Sequence, residues 1–178
     1  MTAMSKAIRS GRQCRKHGMT AVSKALYRMF IEDSGLAKKR ILDFGAGLAA
    51  VQTVLLRKVG LDVTAYDLPE NRVEGGLHDP YALSRRYDIV MCSNLLNVQP
   101  DLKHVLEVAW MAAAVLAPDG FCLMNYPSSP RYGRLSRYGG TPSPGHISAC
   151  LDRVFVIHRL GQALAGHNII WKCESRRK

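Results

Sequence analysis

A chain of 178 residues, 47% of them apolar, is long enough for one packed domain and too apolar to be disordered throughout. Its net charge of +11 directs attention to phosphate-rich partners first and anionic surfaces second. No apolar run approaches the ~20 residues a membrane-spanning helix needs, and five scattered cysteines without a C-x-x-C pair argue against a disulfide framework or a metal site.

Residues 1–18 carry Lys6, Arg9, Arg12, Arg15 and Lys16 among few apolar residues and read as a basic flexible arm. The same acid-poor composition suits an organelle import sequence, and a solvated tail is the better supported of the two. Residues 19–178 read as one domain. Ala21, Val22, Ala25, Leu26, Met29 and Phe30 recur at helical spacing, with Thr20 as N-cap and Ser34-Gly35 as the stop. From Arg40 apolar residues bracket Asp43 and run into Gly45-Ala46-Gly47, as in a buried parallel strand entering a tight turn. A helix follows, with Val51, Val54, Leu55 and Val59 on one face and Gly60 at its end. Asp62–Asp67 forms the next strand. Residues 69–80 are loop-like, with a short strand near Gly76-Leu77-His78.

Tyr87–Cys92 is a further strand, and Asp101 opens a long helix through Leu116. Pro118-Asp119-Gly120 is a turn before a strand at Phe121–Tyr126. Residues 127–145 hold four prolines and four glycines and form a long loop, before a short helix at Ile147–Arg153. Residues 154–173 pair as a terminal hairpin. Strands alternating with helices imply right-handed crossovers and a sheet covered on both faces. The expected fold is therefore α/β: a single-domain, Rossmann-like doubly wound sheet, mostly parallel, with an antiparallel strand from the C-terminal hairpin.

The chemistry concentrates at Asp43-Phe44-Gly45-Ala46-Gly47. Two glycines let the backbone turn and approach a ligand, and the helix that follows presents unpaired N–H donors. Asp67 ends the second strand 20 residues past Gly47, where a carboxylate can accept from both hydroxyls of a ribose. The residues by themselves fit an adenosyl ligand and a dinucleotide alike. Residues 40–126 resemble class I S-adenosylmethionine (AdoMet)-dependent methyltransferases. The acid, apolar residue and Gly-x-Gly of their first motif match Asp43–Gly47, and Ala49 stands where the third glycine is frequent.

The resemblance implies AdoMet as cofactor, held by Asp43, Gly45, Ala46, Gly47, Asp67 and Leu68. It implies that His78 and Asp79 flank the adenine, and that Ser93 and Asn94, at the end of the family's fourth strand, face the methyl group. A narrower likeness, in Thr20–Lys24 and Ser93–Val98, is to methyltransferase-like proteins associated with DNA phosphorothioation. It implies that the first helix packs over the cofactor. The cap itself reads as the role of Thr20, and a solvated face as that of Ser23 and Lys24.

Methyl transfer requires a nucleophile about 3 Å from the methyl carbon and dry surroundings. The Asp/Asn-Pro-Pro-Tyr/Phe of common amino-methyltransferases of nucleic acids is absent, and so is the Pro-Cys of C5-pyrimidine enzymes. Cys92 reads as a core cysteine. Asn94 and, more weakly, His146 are the candidate catalytic residues. Arg131, Tyr132, Arg134 and Arg137 in the long loop pair cations with an aromatic ring, as in nucleic-acid contacts. The sequence therefore points to a methyltransferase acting on RNA or DNA, intracellular and either cytoplasmic or nucleoid-associated, without a membrane partner. A catalytically silent module binding RNA or a ribonucleoprotein, a small-molecule methyltransferase and an NAD(P) oxidoreductase stay open as alternatives.

Overall fold

The computed structural model describes residues 18–127, 142–161 and 168–176. The basic arm apart from Gly18, Arg131, Tyr132, Arg134 and Arg137 of the long loop, and the middle of the terminal hairpin lie outside the described residues.

Ten elements follow the predicted order: α1 (Ala21–Glu32), β1 (Arg40–Phe44), α2 (Val51–Lys58), β2 (Asp62–Tyr66), β3 (Tyr87–Cys92), α3 (Leu102–Ala114), β4 (Leu116–Pro127), α4 (Pro144–Asp152), β5 (Phe155–Arg159) and β6 (Asn168–Ser175). The strands form one six-stranded sheet in the order β2-β1-β3-β4-β6-β5. β1, β2, β3 and β4 pair in parallel, and β6 inserts antiparallel between β4 and β5. This is the mostly parallel, doubly wound sheet with a C-terminal hairpin that the alternating pattern implied.

Side chains alternate across the pleat, so each central strand feeds both cores. Leu42, Val90, Cys92, Cys122 and Met124 face α3 and α4. Ile41, Ile89, Met91 and Leu123 face α1 and α2, where Val22, Leu26 and Leu56 cover them. Each fully buried leucine contributes on the order of 2 kcal/mol.

Four local expectations are corrected. In α2 the buried residues are Gln52, Thr53 and Leu56, whereas Val51, Val54, Leu55 and Val59 are half-buried; the helix is rotated to send two polar side chains inward. The strand expected near His78 is a single parallel bridge from Ala65 to His78. Pro118-Asp119-Gly120 lies inside β4 rather than before it: the pairing with β3 jumps from Leu116 opposite Tyr87 to Phe121 opposite Ile89, which makes the segment a wide bulge. Finally, α4 begins at Pro144 instead of Ile147, because Ser143 caps it and proline suits the first helical turn. Among the described residues no helix is long and apolar enough to cross a membrane.

Candidate cofactor and acceptor site

The carboxyl ends of β1, β2 and β3 meet at the glycine turn. Gly45 and Gly47 adopt φ of +83° and +70°, a region closed to most side chains. A Cβ on Gly45 would also lie 2.9 Å from Leu95 Cδ1, so a larger residue would have to displace the end of that side chain as well. The Gly45 and Ala46 N–H groups donate to the Tyr66 carbonyl, at 2.9 and 3.0 Å, which ties the turn to the end of β2. Ala50 sits at φ 44° ahead of α2, and no side chain caps that helix. Its first N–H donors are thus free of a side-chain cap.

Asp67 is the hub. Its Oδ2 accepts from the Gly47 N–H at 2.6 Å, and its Oδ1 accepts from the Leu68 N–H at 2.7 Å and Asn71 Nδ2 at 2.8 Å. An ionised carboxylate has about four lone-pair positions. Protein donors occupy three, leaving one for a ligand hydroxyl rather than positions for two. Arg72 donates to the Asp67 carbonyl at 2.6 Å and lies over the Tyr66 ring, which stacks on Phe44. On the far side of the turn, His78 Nε2 donates to the Gly47 carbonyl at 2.9 Å. Asp79 accepts from the Tyr81 N–H and pairs with Arg85.

Asp43 is fully buried beneath the turn. Its Oδ2 accepts from the Thr53 hydroxyl at 2.8 Å, and its Oδ1 has no partner. Burial, only partly offset by Thr53, raises its pKa from 3.8 to about 7. His78 Nδ1 is likewise buried without a partner. These features fit AdoMet, a cation carrying a ribose. Asp43 offers an unfilled buried carboxylate oxygen to positive charge, Asp67 a remaining acceptor position to a ribose hydroxyl, and the glycine turn a close backbone approach.

A second network closes the site from the α1 side. Thr20 caps α1, and its N–H donates to Gln52 Oε1 at 2.9 Å. Ser23 donates to the same oxygen at 2.7 Å, and Gln52 Nε2 donates to the Gly18 carbonyl at 3.1 Å. The Ser93 hydroxyl donates to Thr20 Oγ1 at 2.5 Å. Ser23 is therefore fully buried and not on the solvated face expected for it, while Lys24 is exposed. The network joins α1, α2 and the end of β3, which places α1 beside the glycine turn.

Asn94 follows β3 at φ 55°. Its N–H donates to Asn125 Oδ1 at 2.7 Å, and Asn125 Nδ2 donates to Asn94 Oδ1 at 2.8 Å. Asn125 is fully buried in β4 and donates its other hydrogen to Asn168 Oδ1 at 3.1 Å. His146 is placed elsewhere: it forms a capping box with Ser143 at the start of α4, its Nδ1 3.1 Å from Ser143 Oγ, so its ring serves a helix end and is not in the loop. Cys92, Cys122 and Cys173 are core thiols, and burial pushes the Cys173 thiol up to about 12 and raises the other two well above an ordinary thiol.

Among the residues of these networks that went unnoticed in sequence are Gln52, Thr53, Asn71, Asn125 and Asn168. The available signal was polarity at positions a helix or strand would give to apolar residues, as with Gln52 in α2 and Asn125 in β4.

Residues 15–168 match the family described as a methyltransferase domain. No curated protein sequence matches at a significant level. Among solved structures, the chain is similar to a magnesium protoporphyrin IX methyltransferase from Synechocystis with bound S-adenosylhomocysteine, at 18% identity and a TM-score of 0.60, covering 98% of this chain and 89% of that one. It is similar to the N-methyltransferase NodS of Bradyrhizobium japonicum in complex with S-adenosylhomocysteine, at 14% identity and a TM-score of 0.58, covering 87% and 86%. A third similarity is to an O-methyltransferase family protein from Burkholderia thailandensis, at 17% identity and a TM-score of 0.58, covering 88% of this chain. The chain spans 57% of that protein's length.

Proposed function

The chain belongs to the methyltransferase-domain family, an AdoMet-dependent class, and from that premise we propose that it methylates a small-molecule acceptor at the carboxyl ends of β3 and β4. The observation that carries the cofactor part of this reading is the 2.6 Å bond from the Gly47 N–H to Asp67 Oδ2. It joins the glycine turn and the ribose-type carboxylate into one site at the sheet's carboxyl edge. When bound, AdoMet supplies an electrophilic sulfonium methyl group. Asp67 and the turn orient the adenosyl end, Asp43 meets positive charge, and the Thr20–Ser23–Gln52–Ser93 network holds α1 down to exclude water. The magnesium protoporphyrin IX methyltransferase, similar in fold, is named for a small molecule, which supports an acceptor of that size.

A nucleic-acid acceptor is the second reading. The net charge of +11 and the Arg131, Tyr132, Arg134 and Arg137 segment favour it. Calorimetry with AdoMet, S-adenosylhomocysteine and NAD tests the cofactor; binding of NAD alone would overturn the proposal. Tritium transfer from labelled AdoMet into RNA, DNA, protein and small-metabolite pools then tests the acceptor. Label in the metabolite pool is expected, and label in RNA or DNA would replace the first reading by the second.

A further inference from the structure

The three asparagines at the ends of β3 and β4 and the start of β6 define a polarity that their residue type alone does not. A backbone N–H can only donate, so the Asn94 N–H on Asn125 fixes that atom as Oδ1. The other end of the Asn125 amide is then Nδ2, whose two hydrogens must meet acceptors. Both are met, by Asn94 Oδ1 and by Asn168 Oδ1. Asn94 and Asn168 each spend a side-chain oxygen on Asn125, and what they have left is an NH2 group. Both residues are half-buried, and neither NH2 group is hydrogen-bonded to another described residue.

Resting on the methyltransferase reading, we propose that Asn94 and Asn168 form a two-donor subsite that takes the carboxylate of the methyl acceptor, so that the product is a methyl ester. Two donors suit an anionic oxygen and are the wrong polarity for aiming the lone pair of an amine. A carboxylate, with an ordinary pKa near about 4, is already a nucleophile at neutral pH. It needs no general base, and no His, Asp or Glu among the described residues is hydrogen-bonded to the trio. The step balances without a proton: the carboxylate oxygen forms a bond to the methyl carbon, the carbon–sulfur bond breaks, and its electron pair stays on sulfur. Asn125 is the positioning residue. It holds Asn94 in the left-handed conformation that an asparagine tolerates better than most side chains.

The methionyl carboxylate of AdoMet is the other source of the same chemistry, and the test separates the two. Side-chain amide signals of 15N-labelled protein saturated with S-adenosylhomocysteine are followed during titration with benzoate, hexanoate and benzylamine. The Asn94 and Asn168 signals are expected to shift with the carboxylates and not with the amine. Asn94→Asp and Asn168→Asp keep the oxygen that Asn125 needs and remove the donor, so each should weaken carboxylate binding by about tenfold or more while S-adenosylhomocysteine still binds. Asn125→Asp, which forces Asn94 to turn its amide around, should abolish the carboxylate shifts and retain S-adenosylhomocysteine binding.

Tritium transferred to a metabolite extract should be released as methanol by mild alkali, as methyl esters release it. Shifts with benzylamine alone, or alkali-stable label, would overturn the proposal. If the Asp variants weaken S-adenosylhomocysteine but not methylthioadenosine, which lacks the carboxylate, the subsite serves the cofactor and the acceptor assignment is wrong. Failure of the wild-type protein to bind either nucleoside would remove the methyltransferase reading itself, and this one with it.

Discussion

Asp43 and Asp67 are both carboxylates at strand ends, and their surroundings give them different work. Asp67 is met by three donors and acts as the clamp of the glycine turn. Asp67→Ala should lower S-adenosylhomocysteine affinity roughly a hundredfold in calorimetry, since it removes charge-assisted bonds and frees the Gly47 N–H together. Asp43 is met only by Thr53 and keeps an orphaned oxygen, and burial lifts its pKa from 3.8 to about 7. Between those values the folded protein binds the proton more tightly than the unfolded chain. Stability associated with Asp43 is thus fully present below pH 4 or so, falls as pH rises to about 7, and is flat above that. Asp43→Asn should abolish this fall, seen as a smaller loss of urea midpoint between pH 5 and pH 8 than in the wild-type protein. An equal loss in both would show that Asp43 is not protonated in the fold. The candidate pair was legible in sequence because a glycine turn and an acid at a set spacing are local features. The opposite environments of the two acids were not, because Thr53 and the core covering Asp43 come from other segments.

At the level of elements, caps and polar seams decide where helices begin and how they face. Ser143 and His146 form the box that starts α4 three residues before the apolar pattern alone would start it. Ser143→Ala should cost about 1 kcal/mol in chemical denaturation and leave cofactor binding unchanged. Gln52 has the more consequential role, since it accepts from the Thr20 N–H and Ser23 and donates to the Gly18 carbonyl. Gln52→Ala strands buried donors and should cost about 2 kcal/mol, with weakened S-adenosylhomocysteine binding as α1 loosens from the turn. Loss of stability with unchanged binding would show that α1 does not shape the site. The helical periodicity of α1 and α2 was readable, but the rotation of α2 was not. Burying Gln52 and Thr53 is favourable only because α1 and Asp43 supply their partners.

Across the whole molecule, the chain carries a net charge of +11, and the carboxyl edge of its sheet carries the candidate site. Replacing Arg131, Arg134 and Arg137 with Ala should weaken binding of an RNA or DNA probe and flatten its salt dependence, leaving AdoMet affinity unchanged. Parallel loss of both affinities would tie the arginines to the cofactor domain itself. Sequence alone determined the order of strands and helices, the parallel sheet with its terminal hairpin, and the glycine turn with its spaced acid. Each of these is written in periodicity or in residues close along the chain. Only the tertiary structure decided which way the amides of Asn94, Asn125 and Asn168 point, which residues of α2 turn inward, and that Ser23 is buried. Those outcomes depend on hydrogen-bond partners 10 to 43 residues apart, and a side chain's polarity in a site is set by which of its atoms the fold has already used.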